Sequence, residues 1–305
     1  YEDAVSENSR SLLHTRISPL LNLFRITPWQ VINDVKDLPI PLNSKEGFIR
    51  QVLGWREFMH QIHDVTDGFR VIPGKVASVH PLRIDNPMDG GYSRWVIWKP
   101  KEKENGASNL LDGGSAVNVL NYQTDLPLAF WNGESGLRCL DHTVQQVMQE
   151  GYTHHIPRLM ILANIATLLE VKPREITDWF WSCFIDAYDW VVEPNVLAMG
   201  TFATGELLST KPYIAGGGYI DRMSDHCRNC AFNPKKNCPV TRWYWAFLER
   251  HKNVFKNNFR MRMILNSLKR RSAEKKSMDI YHFEKAREAL SKGEIISPDT
   301  FATAR

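Results

Sequence analysis

Several things are scarce in this sequence, and each scarcity excludes something. No run of about 18 apolar residues occurs, so no membrane-spanning helix is expected. No basic-then-apolar leader opens the chain. It starts at Tyr1 rather than Met, so an intact N-terminus is not assumed. Cysteine is sparse. Five residues are an odd number, and without a secretion signal they argue against a disulfide scaffold. Net charge is small, only +4. The strand–helix alternation of a Rossmann domain is also wanting. Collagen-like and disordered classes fall away because 43% of residues are hydrophobic and 24% charged, the mix of a protein with a real core. The 305 residues fit two ordinary domains or one large helical domain.

The small net charge hides an asymmetry. Between Arg250 and Lys276 stand ten Lys or Arg against one acid, Glu274. That segment carries +9, which leaves about −5 for the rest of the chain. A stretch this basic beside an acidic body more often meets polyanions than serves as a plain solvated helix face.

Periodicity predicts mostly helix. Residues 1–24 read as a short helical lead-in ending at Ser18-Pro19. Residues 45–63 form a strong helix candidate capped by Ser44, with Phe48, Ile49, Val52, Leu53, Phe58 and Met59 at helical spacing. From 64 to 127 the texture turns irregular, rich in Gly and Pro, and only Arg94–Trp98 looks like a strand. Helical pattern resumes over 137–150, 156–171, 173–190, 240–250, 258–271 and 278–291.

Two clusters carry chemistry. Cys227 and Cys230 form a Cys-x-x-Cys, and Cys238 follows directly before Pro239. Two thiolates on one turn can reach one metal centre, and a third completes a hook for zinc or an iron–sulfur cluster. Cys139 is the better fourth ligand, because Cys183 sits between aromatic residues on an apolar helix. The second cluster opens a helix at His154 and His155, with Arg158 on the face of His154. Asp186 and Asp189 then punctuate an apolar, aromatic segment, where buried carboxylates need donors.

At this point the sequence resembles the photolyase/cryptochrome superfamily. Thr15-Arg-Ile-Ser-Pro-Leu-Leu-Asn22 resembles the segment that binds FAD phosphate there. Trp55-Arg-Glu-Phe58, Phe130-Trp-Asn-Gly133, Gly151-Tyr-Thr-His-His-Ile-Pro-Arg158 and Ile185-Asp-Ala-Tyr-Asp-Trp190 resemble its further motifs. Glu193-Pro-Asn195, Lys211-Pro-Tyr213 and Tyr219–Asp225 continue in the same order. Cys139, Cys227, Cys230 and Cys238 match the four 4Fe–4S ligands of the bacterial iron–sulfur (6-4) branch. The likeness covers about 2–63 and 127–271.

The resemblance implies an all-α FAD-binding domain over 1–305, with 64–127 as an irregular insertion. It implies a short form without the family's N-terminal antenna domain, either natural or a fragment, and so no antenna chromophore. Thr15, Ser18, Leu20 and Leu21 would hold the FAD phosphates and ribitol. Gln51 and Arg56 would line the same wall, and Arg158 and Asp186 would hold the ring. Trp55 and Tyr213 would contact the lesion, His155 would transfer a proton, and Trp179 would relay electrons from the surface. Two positions depart from the branch: Phe180 replaces its Tyr, and Val192 replaces its Glu near the flavin.

The implied activity is light-driven repair of UV-induced pyrimidine photoproducts in DNA, single- or double-stranded. His155 favours the (6-4) product over CPD. A bacterial cytoplasmic monomer, with no membrane partner, is the implied setting. The alternatives are a cryptochrome-like photoreceptor and a light-independent, primase-like iron–sulfur module.

Overall fold

The computed structural model describes residues 3–66, 69 and 117–302. They are mostly helical. No strand forms among them, only three isolated bridges, Val5–Ser224, Ser6–Ser9 and Thr124–Val171. The strand expected at Arg94–Trp98, and most of the irregular 64–127 excursion, lie outside the described residues.

Proline sets several helix starts. Ser18-Pro19 opens a helix, Ser18–Asn22, where the sequence pattern had placed an end. The ring fixes φ and its absent N–H is unneeded in a first turn. Pro28 likewise starts Pro28–Lys36, where Thr27 and Gln30 form a reciprocal capping box. The next helix begins at Leu42 after extended Pro41, so Ser44 lies inside its first turn and is not its cap. Leu42–Ile49, a π-helical Arg50–Trp55 and Arg56–Thr66 follow without a break.

The segment expected to be one helix over 173–190 is two. Pro173–Cys183 ends where Phe184 turns extended, and Asp189–Val192 starts after it. Asp186 therefore sits in a turn, not on a helix face.

The centre of the core is the run His155–Pro157, Arg158–Ala163 (π-helical) and Asn164–Leu168. Ile161, Leu162, Ile165, Ala166 and Leu168 are fully buried there. Burial of each large side chain contributes about 1.5–3 kcal/mol. Around it pack Arg138–Glu150, Pro173–Cys183 and the C-terminal pair Pro239–His251 and Ala273–Ser291. In that pair Trp243 and Phe247 share the core with Phe283, Ala286 and Leu290. Asp279 is buried in the last helix and accepts from Arg242 Nη1 at 3.1 Å and Arg271 Nη2 at 2.8 Å.

Candidate functional site

One polar network joins three distant stretches of chain. Asp186 is buried. Its Oδ1 and Oδ2 accept from Arg158 Nη1 at 2.9 Å and Nη2 at 3.0 Å, a two-pronged pair. Ser18 Oγ donates to Asp186 Oδ2 at 2.6 Å, and Asn22 Nδ2 donates to the Asp186 carbonyl at 2.7 Å. Arg56 Nη2 reaches Asn22 Oδ1 at 3.0 Å. The Ser18–Asn22 helix is thus fastened to the Phe184–Tyr188 turn and to the Arg56–Thr66 helix. Arg158 also donates to the Thr153 carbonyl at 2.7 Å and lies over the rings of Tyr152 and Phe184.

The electrostatics suit an anion beside this network. Arg56 is half-buried, and burial lowers its pKa. Its hydrogen-bond partners are the neutral oxygens of Val52 and Asn22. A phosphate would supply the counter-charge that neither gives. Thr15 is exposed nearby, and its carbonyl accepts from Tyr152 Oη at 3.2 Å. Leu21 is buried and Leu20 open to solvent. Gln51 is exposed on the π-helical turn and takes no part in the network.

Three histidines meet next to it. His14 stacks on His154, with centroids 4.1 Å apart and planes 12° from parallel. His155 is exposed and meets His14 edge-on at 5.2 Å. Their donor atoms fall within 4.8 Å of one another. Near-parallel rings keep their in-plane lone pairs from converging on one ion, so the stacked pair does not chelate as it stands. His154 is buried, and burial first, then the other two histidines and Arg158, drives its pKa down to about 3. It stays neutral throughout the physiological range.

The rim and the aromatic interior follow. Trp55 Nε1 donates to Asn195 Oδ1 at 3.0 Å, and Asn195 Nδ2 to the Val191 carbonyl at 2.8 Å. Glu193, two residues earlier, is fully buried and accepts from Arg174 Nη1 at 2.7 Å, which anchors this segment. Tyr213 is partly exposed. Trp179 is not at a surface. It is buried among Phe130, Phe180 and Phe184 at 5.3–5.9 Å, and Phe184 in turn lies against Arg158.

Cys139, Cys227, Cys230 and Cys238 line one small cavity with Gly217 and His226. Gly217 is required there, since a Cβ would come within 2.7 Å of Cys238 Sγ. Burial, and then the neighbouring thiols, push Cys227 up to about 12 and Cys238 up to about 11. Four thiolates would coexist in this cavity only around a compensating cationic centre. Cys183 stands outside the group, at the end of Pro173–Cys183. An N-terminal strap braces the site: Glu7 pairs with Arg138 and with His226, each adjoining a cavity cysteine.

Sequence comparison places this geometry among known proteins. Over 271 residues the chain is 31% identical to a (6-4) photolyase of Agrobacterium fabrum, covering 85% of this chain and 44% of that protein. The chain is homologous to a photolyase. That homology supports the photolyase/cryptochrome superfamily, and the helical architecture is that of its FAD-binding domain. A 66-residue stretch is 41% identical to an uncharacterized protein of Acanthamoeba polyphaga mimivirus, covering 22% of this chain and 54% of that one. The chain thus spans about half the length of these relatives. No protein-family model matches it.

Against this photolyase homology, sequence reasoning had missed three residues of the site. Asn22 lies within the Thr15–Asn22 motif but had no role. His14 precedes that motif by one residue and lies 140 positions from His154, so no spacing rule pairs them. Glu193 lies within Glu193-Pro-Asn195 but had no role, because its burial and its Arg174 partner show only in the fold.

Proposed function

We propose that this chain is the FAD-binding and 4Fe–4S-bearing domain of a DNA photolyase, spanning 1–305, that uses light to repair UV-induced pyrimidine photoproducts. The (6-4) product is favoured over CPD. The observation that carries this reading is the Arg158–Asp186–Ser18–Asn22–Arg56 network, which joins the segments that resemble the family's phosphate-binding and ring-binding motifs, in a chain homologous to a photolyase.

When bound, reduced FAD would supply the blue-light-driven electron that splits the photoproduct, and recover it afterwards. The chain's residues do the rest. Arg56, Thr15 and Ser18 would hold the phosphates, with Leu20, Leu21 and Gln51 along the same wall. Arg158 and Asp186 would fix the ring edge. His155 stands exposed and would give its proton to the lesion, a general-acid role that an imidazole can fill. His154, whose pKa burial holds low, adds no positive charge of its own beside it. Trp55, held by Asn195, and Tyr213 would line the lesion, which leaves the duplex most readily because damage has weakened its stacking. Trp179 would be an inner station for electrons arriving from outside. Cys139, Cys227, Cys230 and Cys238 would ligate the cluster, whose role is to brace the C-terminal helices.

The test is repair itself. Reduced, flavin-loaded protein is irradiated with blue light beside UV-damaged oligonucleotides, and the two lesions are resolved by chromatography. Light-dependent loss of the (6-4) product is expected, and His155→Ala should slow it by roughly 10²–10⁴-fold. Flavin bound but neither lesion repaired would overturn the enzyme reading in favour of a photoreceptor.

A further inference from the structure

The basic stretch is not uniform, and its distribution points to a surface. Between Lys256 and Arg270 there are five Lys or Arg and no acidic residue. Lys256, Arg260 and Arg262 are exposed, and no ion pair involves them among the described residues. Lys269 and Arg270 are exposed too, and no ion pair involves them among the described residues. Their neighbours behave differently: Arg250 is tied to Glu170, Lys252 and Lys276 to Glu249, and Arg271 to Asp279.

Two large apolar side chains stand in the middle of these free cations. Phe259 is 81% exposed and Met263 is 83% exposed. They are four residues apart where a 3₁₀ turn enters the Arg262–Lys269 helix, so they share its outer side. The other side of the segment is well anchored, since Phe255, Met261, Leu265 and Leu268 are buried. Asn258 clamps the turn. Its Nδ2 donates to Glu206 Oε1 at 2.7 Å and to the Thr210 carbonyl at 2.8 Å, and its Oδ1 accepts from Met261 N at 3.1 Å. Thr210 is three residues from Tyr213. The exposed pair is therefore held beside the loop that carries the lesion rim.

We propose that Phe259 and Met263, flanked by Lys256, Arg260 and Arg262, form a docking surface for unpaired DNA beside the lesion, with Phe259 stacking on a base. This rests on the reading above that the chain works on DNA. Free cations match phosphates, and an exposed ring offers the sequence-tolerant stacking that single strands use. Two apolar side chains make a small area for a lipid surface, and the Asn258 clamp ties their turn to Thr210, three residues before Tyr213.

The experiment measures binding of undamaged oligo-dT, single-stranded, by fluorescence anisotropy on the flavin-loaded protein. Phe259→Ala should weaken binding about tenfold, within the range for loss of one base–aromatic stack, and Phe259→Trp should restore it. Arg260→Gln with Arg262→Gln should lower the slope of log affinity against log salt by about 1.4, the value for two single-strand phosphates. Unchanged affinity in Phe259→Ala and an unchanged slope in the double variant would overturn the proposal. So would loss of binding to phosphatidylserine vesicles with none to oligo-dT. All three positions are exposed, and thermal melting of each variant verifies that it folds. Because undamaged DNA is used, failure of repair leaves this result readable.

Discussion

At the residue scale the site depends on one carboxylate. Asp186 receives Arg158 and Ser18 at once, and its removal would leave a half-buried guanidinium unpaired. Truncating one partner of such a pair costs roughly 2–5 kcal/mol. Asp186→Ala should therefore bind flavin about a hundredfold more weakly, read as the flavin-to-protein ratio after purification and by titration. His154 gives a pH prediction with a definite sign. Its folded pKa lies at about 3, below the 6.5 of a histidine in the unfolded chain. Between those values the unfolded chain takes up a proton that the folded chain refuses, so stability is full above pH 6.5 and lost as pH falls toward 3. Replacing His154 by Gln should flatten the acid limb of the melting temperature against pH. Arg158 and Asp186 were legible as partners only because buried charge demands a counter-charge. His14 was not legible at all, since its contact with His154 is set by the fold and not by local spacing.

At the element scale the C-terminal helix pair has its own polar anchor. Asp279 is nearly inaccessible and holds both Arg242 and Arg271. Asp279→Ala leaves two arginines without their carboxylate and should cost about 3–5 kcal/mol, measured by denaturant unfolding. Helix existence was well read from periodicity: 137–150, 240–250 and 258–271 all fall on observed helices, Arg138–Glu150, Pro239–His251 and Phe259–Lys269. Boundaries were read less well. Ser44 looked like a cap because it precedes an apolar run, yet Pro41 starts the helix sooner. The break at Phe184–Tyr188 was hidden because Ile185 and Trp190 keep the apolar rhythm, while Asp186 is drawn into a turn by Arg158 and Asn22.

At the scale of the whole molecule, contacts far apart in sequence hold the parts together. The cysteine cavity draws Cys139 to Cys227, Cys230 and Cys238, and the Glu7 strap crosses both sides of it. Cys139→Ser should abolish broad visible absorbance beyond the flavin bands and lower the melting temperature, checked by spectrum and calorimetry. The helical class and the grouping of these cysteines were legible from composition and spacing; the strap was not, because its partners lie more than 130 residues away. Among the described residues three helical turns are π-helical, Arg50–Trp55, Arg158–Ala163 and Glu193–Gly200. Each begins, carries or directly precedes a residue of the site. Such a turn amounts to one residue inserted into an α-helix. Loss of a single codon there would restore regular winding with little rotation of the flanking helix, and would withdraw the bulge that presents the site residue, whereas a deletion in a regular helix rotates everything beyond it by about 100°. A deletion scan should therefore show these three stretches as windows where the fold survives and flavin binding is lost, between helices where a one-residue deletion costs the fold itself.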